Sequence, residues 1–238
     1  MSKLKWISDE NLLDAVSYLL ERAKNAQKDA INTFGRNVVD PFSAAFEMSG
    51  FNMTYDEWLI SETSRQSQKT LQNFIGDFHQ ILLGSCQGWR NMGRGNIIDL
   101  LNEENKVVAE VKNKFNTISG GKLADLYWSL ESAVMNKTSV YKGFTAYYVS
   151  IIPDKPKRYN IEFTPSDKEK GQKCPHNPLI RQIDGASFYD LVTGDSNGLR
   201  KMFSALPLVI KEYTKEDMLD SEKLKKLFEM AYGSDNLK

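Results

Sequence analysis

The sequence predicts an α/β sandwich, a central mixed sheet with helices on both faces and further helices at both ends of the chain. Three observations lead there. Two short β-branched runs, "NIIDLLN" (96–102) and "KVVAEVKNKF" (106–115), flank "EEN", which is a hairpin signal. The second run is followed by a helical stripe and then by another strand, the order of a parallel crossover. Both hairpin runs carry apolar residues on both faces, so both faces of the sheet must be covered.

Residues 9–31 open the chain as an amphipathic helix, with Leu12, Leu13, Val16, Leu19, Leu20 and Ala23 at helical spacing and Ser8 as N-cap. Pro41 breaks the next stretch. "PFSAAFEMSG" and "TYDEWLISETSRQSQKTLQNFIGDFHQILLG" read as two more helices, and Gly84 is a natural stop. The hairpin follows, with Glu104 and Asn105 as its turn. In "GGKLADLYWSLESAVMN" (120–136), Leu123, Leu126, Tyr127, Leu130, Ala133 and Val134 form one apolar stripe. "GFTAYYVSIIP" (143–153) is a strand ended by Pro153, and "RYNIEF" (158–163) is another. "KEKGQKCPHNP" is a polar loop. "SFYDLV", "NGLRKMFSALPLVI" and the charged tail are helical. We read residues 1–238 as a single domain, with a helical part at 1–84, the α/β core at 85–165, and a loop with C-terminal helices at 166–238.

Composition narrows the class. No apolar run reaches membrane-spanning length, and "MSKLKWISDENLL" has no apolar signal-peptide core. Cys86 and Cys174 are too few for a disulfide scaffold, so a reducing cytoplasm is expected. Basic and acidic residues number 31 each, which excludes a sprawling basic surface. Residues 106–173 nevertheless hold 12 Lys/Arg against 7 Asp/Glu, the place to seek an anionic ligand.

That basic segment begins at "VVAEVKNKFNT" (107–117), where Glu110 and Lys112 interrupt a buried strand. Residues two apart on a strand share a face. A two-residue turn at Glu104 and Asn105 pairs Glu103 with Lys106, which sets Asp99 opposite Glu110. Asp99, Glu110 and Lys112 then form one cluster on one face. A slip of one residue would send Asp99 to the other face. Adjacent carboxylates repel unless a cation joins them, and hard oxygens suit Mg²⁺. A lysine beside such a site can orient or deprotonate water and neutralise developing charge. This combination points to hydrolysis of a phosphodiester.

These residues resemble the PD-(D/E)XK nuclease superfamily. "IIDLL" stands for the Pro-Asp element, with Ile98 in place of the proline, and "AEVKNKFNT" supplies the E-x-K element. More narrowly, "QNFIGDFHQILLGSCQGW" (72–89), "GNIIDLL" (95–101), "AEVKNKFNT" (109–117) and "DGASFYDLVTG" (184–194) resemble the Eco47II group of type II restriction endonucleases. The resemblance implies a PD-(D/E)XK core and Mg²⁺-dependent cleavage of double-stranded DNA by a homodimer. It implies a short symmetric site, GGWCC or GGNCC, 5′-phosphate ends, and a cytosine methyltransferase as genetic rather than physical partner. The catalytic residues carried over are Asp99, Glu110 and Lys112, with the metal held by Asp99, Glu110 and the Val111 main-chain carbonyl. A repair or recombination nuclease of the same fold, or a non-catalytic DNA-binding relative, are the alternatives.

Arg90, Arg94, Lys114 and Lys122 flank the hairpin and are candidates for DNA phosphates. Asn113 and Asn116 lie next to the cluster and are candidates for backbone or base contacts, loop capping being the competing role of Asn116 and Thr117. Glu62 and Asp77 on the preceding helix are candidate extra acids. Cys174, His176, His79 and Cys86 lack the paired spacing of a zinc site. Tyr147 and Tyr148 read as packing.

Overall fold

The computed structural model describes residues 3–32, 34, 38–93 and 95–234. They fall into two compact units, residues 17–78 and residues 1–16 with 79–238. Among the described residues no helix is long and apolar enough to cross a membrane.

Three helices occupy the N-terminal third, α1 (Asp9–Asn32), α2 (Pro41–Gly50) and α3 (Tyr55–Gly84). Their starts are written in the sequence. Ser8 Oγ accepts from Asn11 N at 3.1 Å. Asp40 accepts from Phe42 N and Ser43 N, and Pro41 occupies the first turn, where its missing N–H costs nothing.

The larger unit is built on a six-stranded mixed sheet. Its strands are β1 (Arg90–Asn91), β2 (Leu100–Asn102), β3 (Val107–Lys114), β4 (Thr145–Ile152), β5 (Asn160–Glu162) and β8 (Ile180–Asp184), in the order β1-β2-β3-β4-β8-β5. The first three run antiparallel, β3, β4 and β8 run parallel, and β5 returns antiparallel to β8. α4 (Leu123–Met135), entered through a 3-10 turn at Gly120–Lys122, connects β3 to β4. Its Ala124, Tyr127, Leu130 and Val134 pack on Leu101, Val108, Ala146 and Ile180 of one sheet face. Truncating one such fully buried leucine to alanine costs about 2–5 kcal/mol.

The opposite face is covered by α5 (Gly185–Thr193) and α7 (Ser221–Tyr232), with α6 (Gly198–Thr214) between them in the chain. Phe188 of α5 meets Tyr147 at 6.1 Å and Trp89 at 5.7 Å between ring centroids, and Tyr232 of α7 donates to Ile151 O at 3.0 Å. Helices therefore cover both faces, as the two-sided apolar strands require.

Several elements differ from expectation, β1 among them. The strand expected over 96–102 begins only at Leu100, although Asp99 N still donates to Ala109 O at 2.9 Å and Met92 N donates to Asp99 O at 2.8 Å. The polar loop contains a small ladder, β6 (Ser166–Asp167) with β7 (Gln172–Lys173). β8 was not expected, because Arg181, Gln182 and Asp184 hide its pattern. Asp184 is nonetheless buried, since it caps α5 through Ser187 N at 2.9 Å and accepts from Tyr159 N at 2.7 Å.

Candidate active site

The turn after β2 sets the geometry of the site. Lys106 N donates to Glu103 O at 3.3 Å across Glu104 and Asn105, Asn102 Oδ1 holds Asn105 N at 2.9 Å, and Lys106 adopts φ 53°. The ladder then pairs Asn102 with Val107 and Leu100 with Ala109. This is the register expected from the turn; the ladder ends there, Asp99 N donates to Ala109 O at 2.9 Å, and the Asp99 charge acts on Glu110. The Asp99 side chain reaches one step further, and its Oδ2 accepts from Val111 N at 2.7 Å.

Within a strand, the N–H and C=O of one residue point toward the same neighbour. Val111 N points at Asp99, so Val111 C=O faces that side too, beyond the last pair of β2. Glu110 and Lys112 share the sheet face that carries Val108. Lys112 Nζ lies 2.5 Å from Glu110 Oε1, with the two side chains 27% and 12% exposed.

The electrostatics are those of a crowded, half-dry site. Burial pushes the Glu110 carboxyl up from the usual carboxylate range, the negative charge of Asp99 adds to the rise, and Lys112 opposes it. Burial disfavours the Lys112 ammonium, but the hydrogen bond to Glu110 and the charges of Glu110 and Asp99 outweigh it, and the net shift is upward. Glu110 Oε2 is buried with no hydrogen-bond partner. A buried carboxylate oxygen left bare beside a second carboxylate is a vacant acceptor, and a proton or a cation satisfies it.

Among the described residues no three or more His, Cys, Asp or Glu gather as a metal cluster. Two carboxylates and a main-chain carbonyl are all hard oxygens, whereas zinc favours nitrogen and sulfur. They match Mg²⁺, which keeps several of its waters.

The parallel ladder brings further residues to this end of the sheet. Glu110 pairs with Tyr148 and Lys112 with Ser150, and Gln182 stands across from Tyr148. A cleft of ≈ 430 Å³ opens there, lined among others by Tyr148, Ser150, Lys155, Lys157, Tyr159 and Gln182. It lies at the carboxyl ends of parallel strands, where open α/β sheets receive ligands. These residues escaped sequence reasoning because a crossover, unlike a tight turn, does not set register. Tyr147 and Tyr148 do pack, on Phe188 and on Phe163 respectively, and the Tyr148 hydroxyl in addition feels the charges of Lys112 and Glu110.

The remaining candidates scatter. Lys114 shares the face of Lys112, and Asn116 and Lys122 lie just beyond it in the turn leading to α4, where Thr117 N donates to Lys114 O at 3.0 Å. Asn113 faces the opposite way, its Oδ1 buried without a partner. Arg90 sits toward the hairpin turn, paired with Glu103 at 2.7 Å, and so is not gathered with the cluster. Arg94 lies outside the described residues. Glu62 belongs to the helical unit, where Arg65 and Gln66 hold its carboxylate. His79 is buried with Nδ1 2.7 Å from Tyr189 Oη, Cys86 and Cys174 are buried free thiols, and His176 pairs with Glu162 at 3.0 Å.

Comparison with known proteins supplies the chemistry's context. Residues 4–215 match a family model described as Eco47II restriction endonuclease. The chain is 51% identical to the type II restriction enzyme Eco47II of Escherichia coli, over 98% of this chain and 100% of that one. It is 29% identical to the type II restriction enzyme Sau96I of Staphylococcus aureus, over 94% of this chain and 84% of that one.

Proposed function

The chain belongs to the Eco47II family of type II restriction endonucleases, and from that premise we propose that Asp99, Glu110 and Lys112 are its catalytic residues on a PD-(D/E)XK core. The observation that carries this is the bare, buried Oε2 of Glu110 beside Asp99, with Lys112 Nζ on the other oxygen. Membership of a restriction family excludes a repair nuclease or a non-catalytic relative.

Asp99, Glu110 and the Val111 carbonyl would hold Mg²⁺, which when bound supplies positive charge against the phosphoryl oxygens and acidifies bound water. The protein's own residues do the rest. Asp99 is fixed by the Val111 amide, and Glu110 by Lys112. Because its pKa is raised, Lys112 acts as an ammonium. It orients the attacking water by hydrogen bonding and offsets negative charge gathering on the phosphate. The water oxygen loses a proton to solvent and forms a bond to phosphorus as the bond from phosphorus to the 3′-oxygen breaks and that oxygen takes up a proton, which leaves a 5′-phosphate and a 3′-hydroxyl.

The substrate is double-stranded DNA at a short two-fold symmetric sequence, GGWCC or GGNCC. The G edge presents N7 and O6 acceptors that Arg or Lys can read in the major groove. One such site cuts one strand, so cutting both strands of a symmetric sequence calls for two copies related by a two-fold axis. A cytosine methyltransferase encoded nearby would protect the host. Digestion of a plasmid of known sequence with Mg²⁺, followed by end mapping, tests the proposal. Discrete fragments ending at one such sequence are expected, and a smear or cutting confined to branched DNA would overturn it.

A further inference from the structure

The helical unit exposes an apolar surface that a solvated helix does not carry. In α2, Phe42 and Phe46 stand one turn apart and are 75% and 76% exposed. Phe51, just past the helix, is 73% exposed, and Tyr55 at the start of α3 is 60% exposed. Ala44 is the buried residue of α2, on the side away from the two phenylalanines. The one charge of α2, Glu47, is turned inward and consumed, since Oε1 accepts from Ser43 Oγ at 2.7 Å and Oε2 from Trp58 Nε1 at 3.0 Å. Two phenylalanines exposed side by side on one helix mark a surface that a partner covers.

We propose that this face of α2, with Phe51 and Tyr55, is the self-complementary interface between two copies of the chain. Its size suits that partner. Four aromatic side chains, each able to bury roughly 150–250 Å² in full, at these exposures give about 400–700 Å². This is a large part of the ~800 Å² that each partner contributes to a standard interface. Its charge excludes the competing partner, because residues 38–60 contain no Lys or Arg and four acids, Asp40, Glu47, Asp56 and Glu57. Such a surface repels DNA phosphates and anionic lipid alike. In a two-fold arrangement, residue i of one copy meets residue j of the other and j meets i, so Phe42 of one α2 stacks against Phe46 of its mate. The inference rests on the double-strand cutting proposed above only in needing a second copy.

Sedimentation velocity of the full chain tests it, comparing wild type with Phe42→Glu/Phe46→Glu and with Leu227→Glu/Met230→Glu. The second pair lies on the exposed side of α7, Leu227 being 59% and Met230 76% exposed. Wild type and the α7 variant are expected to be dimers. The α2 variant is expected to be a folded monomer by circular dichroism, with its dimer dissociation constant raised at least about 100-fold. Supercoiled plasmid is then nicked rather than linearised. Ala45→Cys, between the two phenylalanines, is expected to oxidise to a disulfide-linked dimer. A monomeric wild type, an α2 variant that stays dimeric, or dissociation by the α7 variant alone would overturn the interface. Dimerisation through α2 without any Mg²⁺-dependent cutting would leave the interface standing and sink the catalytic proposal. Normal linearisation by a dimeric α2 variant would do the reverse.

Discussion

At the scale of single residues, the site is a balance of charges in a half-dry place. Lys112→Ala removes the ammonium and leaves Glu110 and Asp99 facing each other. Single-turnover cleavage is expected to fall by about 10²–10³-fold or more, with DNA affinity changed only a few-fold in a filter-binding assay. Full Mg²⁺-dependent cutting by this variant would remove the lysine from the mechanism. Glu110 also sets a pH dependence in metal-free protein. Its folded pKa lies above its unfolded value, so the native state holds the proton more tightly. Stability from this source is full below the unfolded value and is lost as pH rises through the raised one. Thermal denaturation in chelator at several pH values is expected to show that loss, and Glu110→Gln to flatten it relative to wild type. The E-x-K element was legible because a strand's period of two needs no other information. The bare Oε2 was not, since burial depends on what α4 and β4 bring against it.

At the scale of elements, legibility followed loop length. The β2–β3 turn is short, and its register could be written down from four residues. The β3–β4 crossover passes through a whole helix, so the pairings of Glu110 with Tyr148 and Lys112 with Ser150 could not. β8 was missed because its polar residues serve neighbouring elements rather than solvent. Where β8 ends, α5 starts against β4 with no spare room. A Cβ on Gly185 would lie 2.3 Å from Ile151 O, a main-chain atom that cannot swing aside. Gly185→Ala is therefore expected to destabilise the protein by about 1–3 kcal/mol in urea denaturation, while Gly76→Ala, which meets nothing within 4 Å, is not. The end of α3 adds an acid-side limit. Burial holds the His79 pKa down at about 4, against 6.5 when free. The unfolded chain takes the proton first, so stability present above 6.5 is lost progressively as pH falls toward 4. His79→Gln is expected to weaken this acid dependence.

At the scale of the molecule, a net charge of zero coexists with the excess of positive charge in residues 106–173. Lys155 and Lys157 of the cleft lie in that segment. Replacing both with alanine is expected to weaken binding to cognate and random DNA alike. The plot of log affinity against log salt should become shallower by about one for each phosphate that a lysine no longer neutralises. An unchanged slope would take the cleft off the DNA path. The helical N-terminal third and the α/β core could be separated by eye in the sequence, since apolar period changes from helical to strand near residue 90. The two compact units are residues 17–78 and residues 1–16 with 79–238. Periodicity reports the element and is silent on which core it joins.

The anchoring of Asp99 carries a lesson for redesign. Its amide is bonded to Ala109, its carbonyl to Met92 and its carboxylate to the Val111 amide. On the proposed assignment, the cutting residues sit on one hairpin, aligned by its own turn and by the neighbouring Met92 amide. A library randomised over the surrounding loops can be screened for new targets without resetting the blade, and a variant that reads a different sequence should cut with an unaltered stroke.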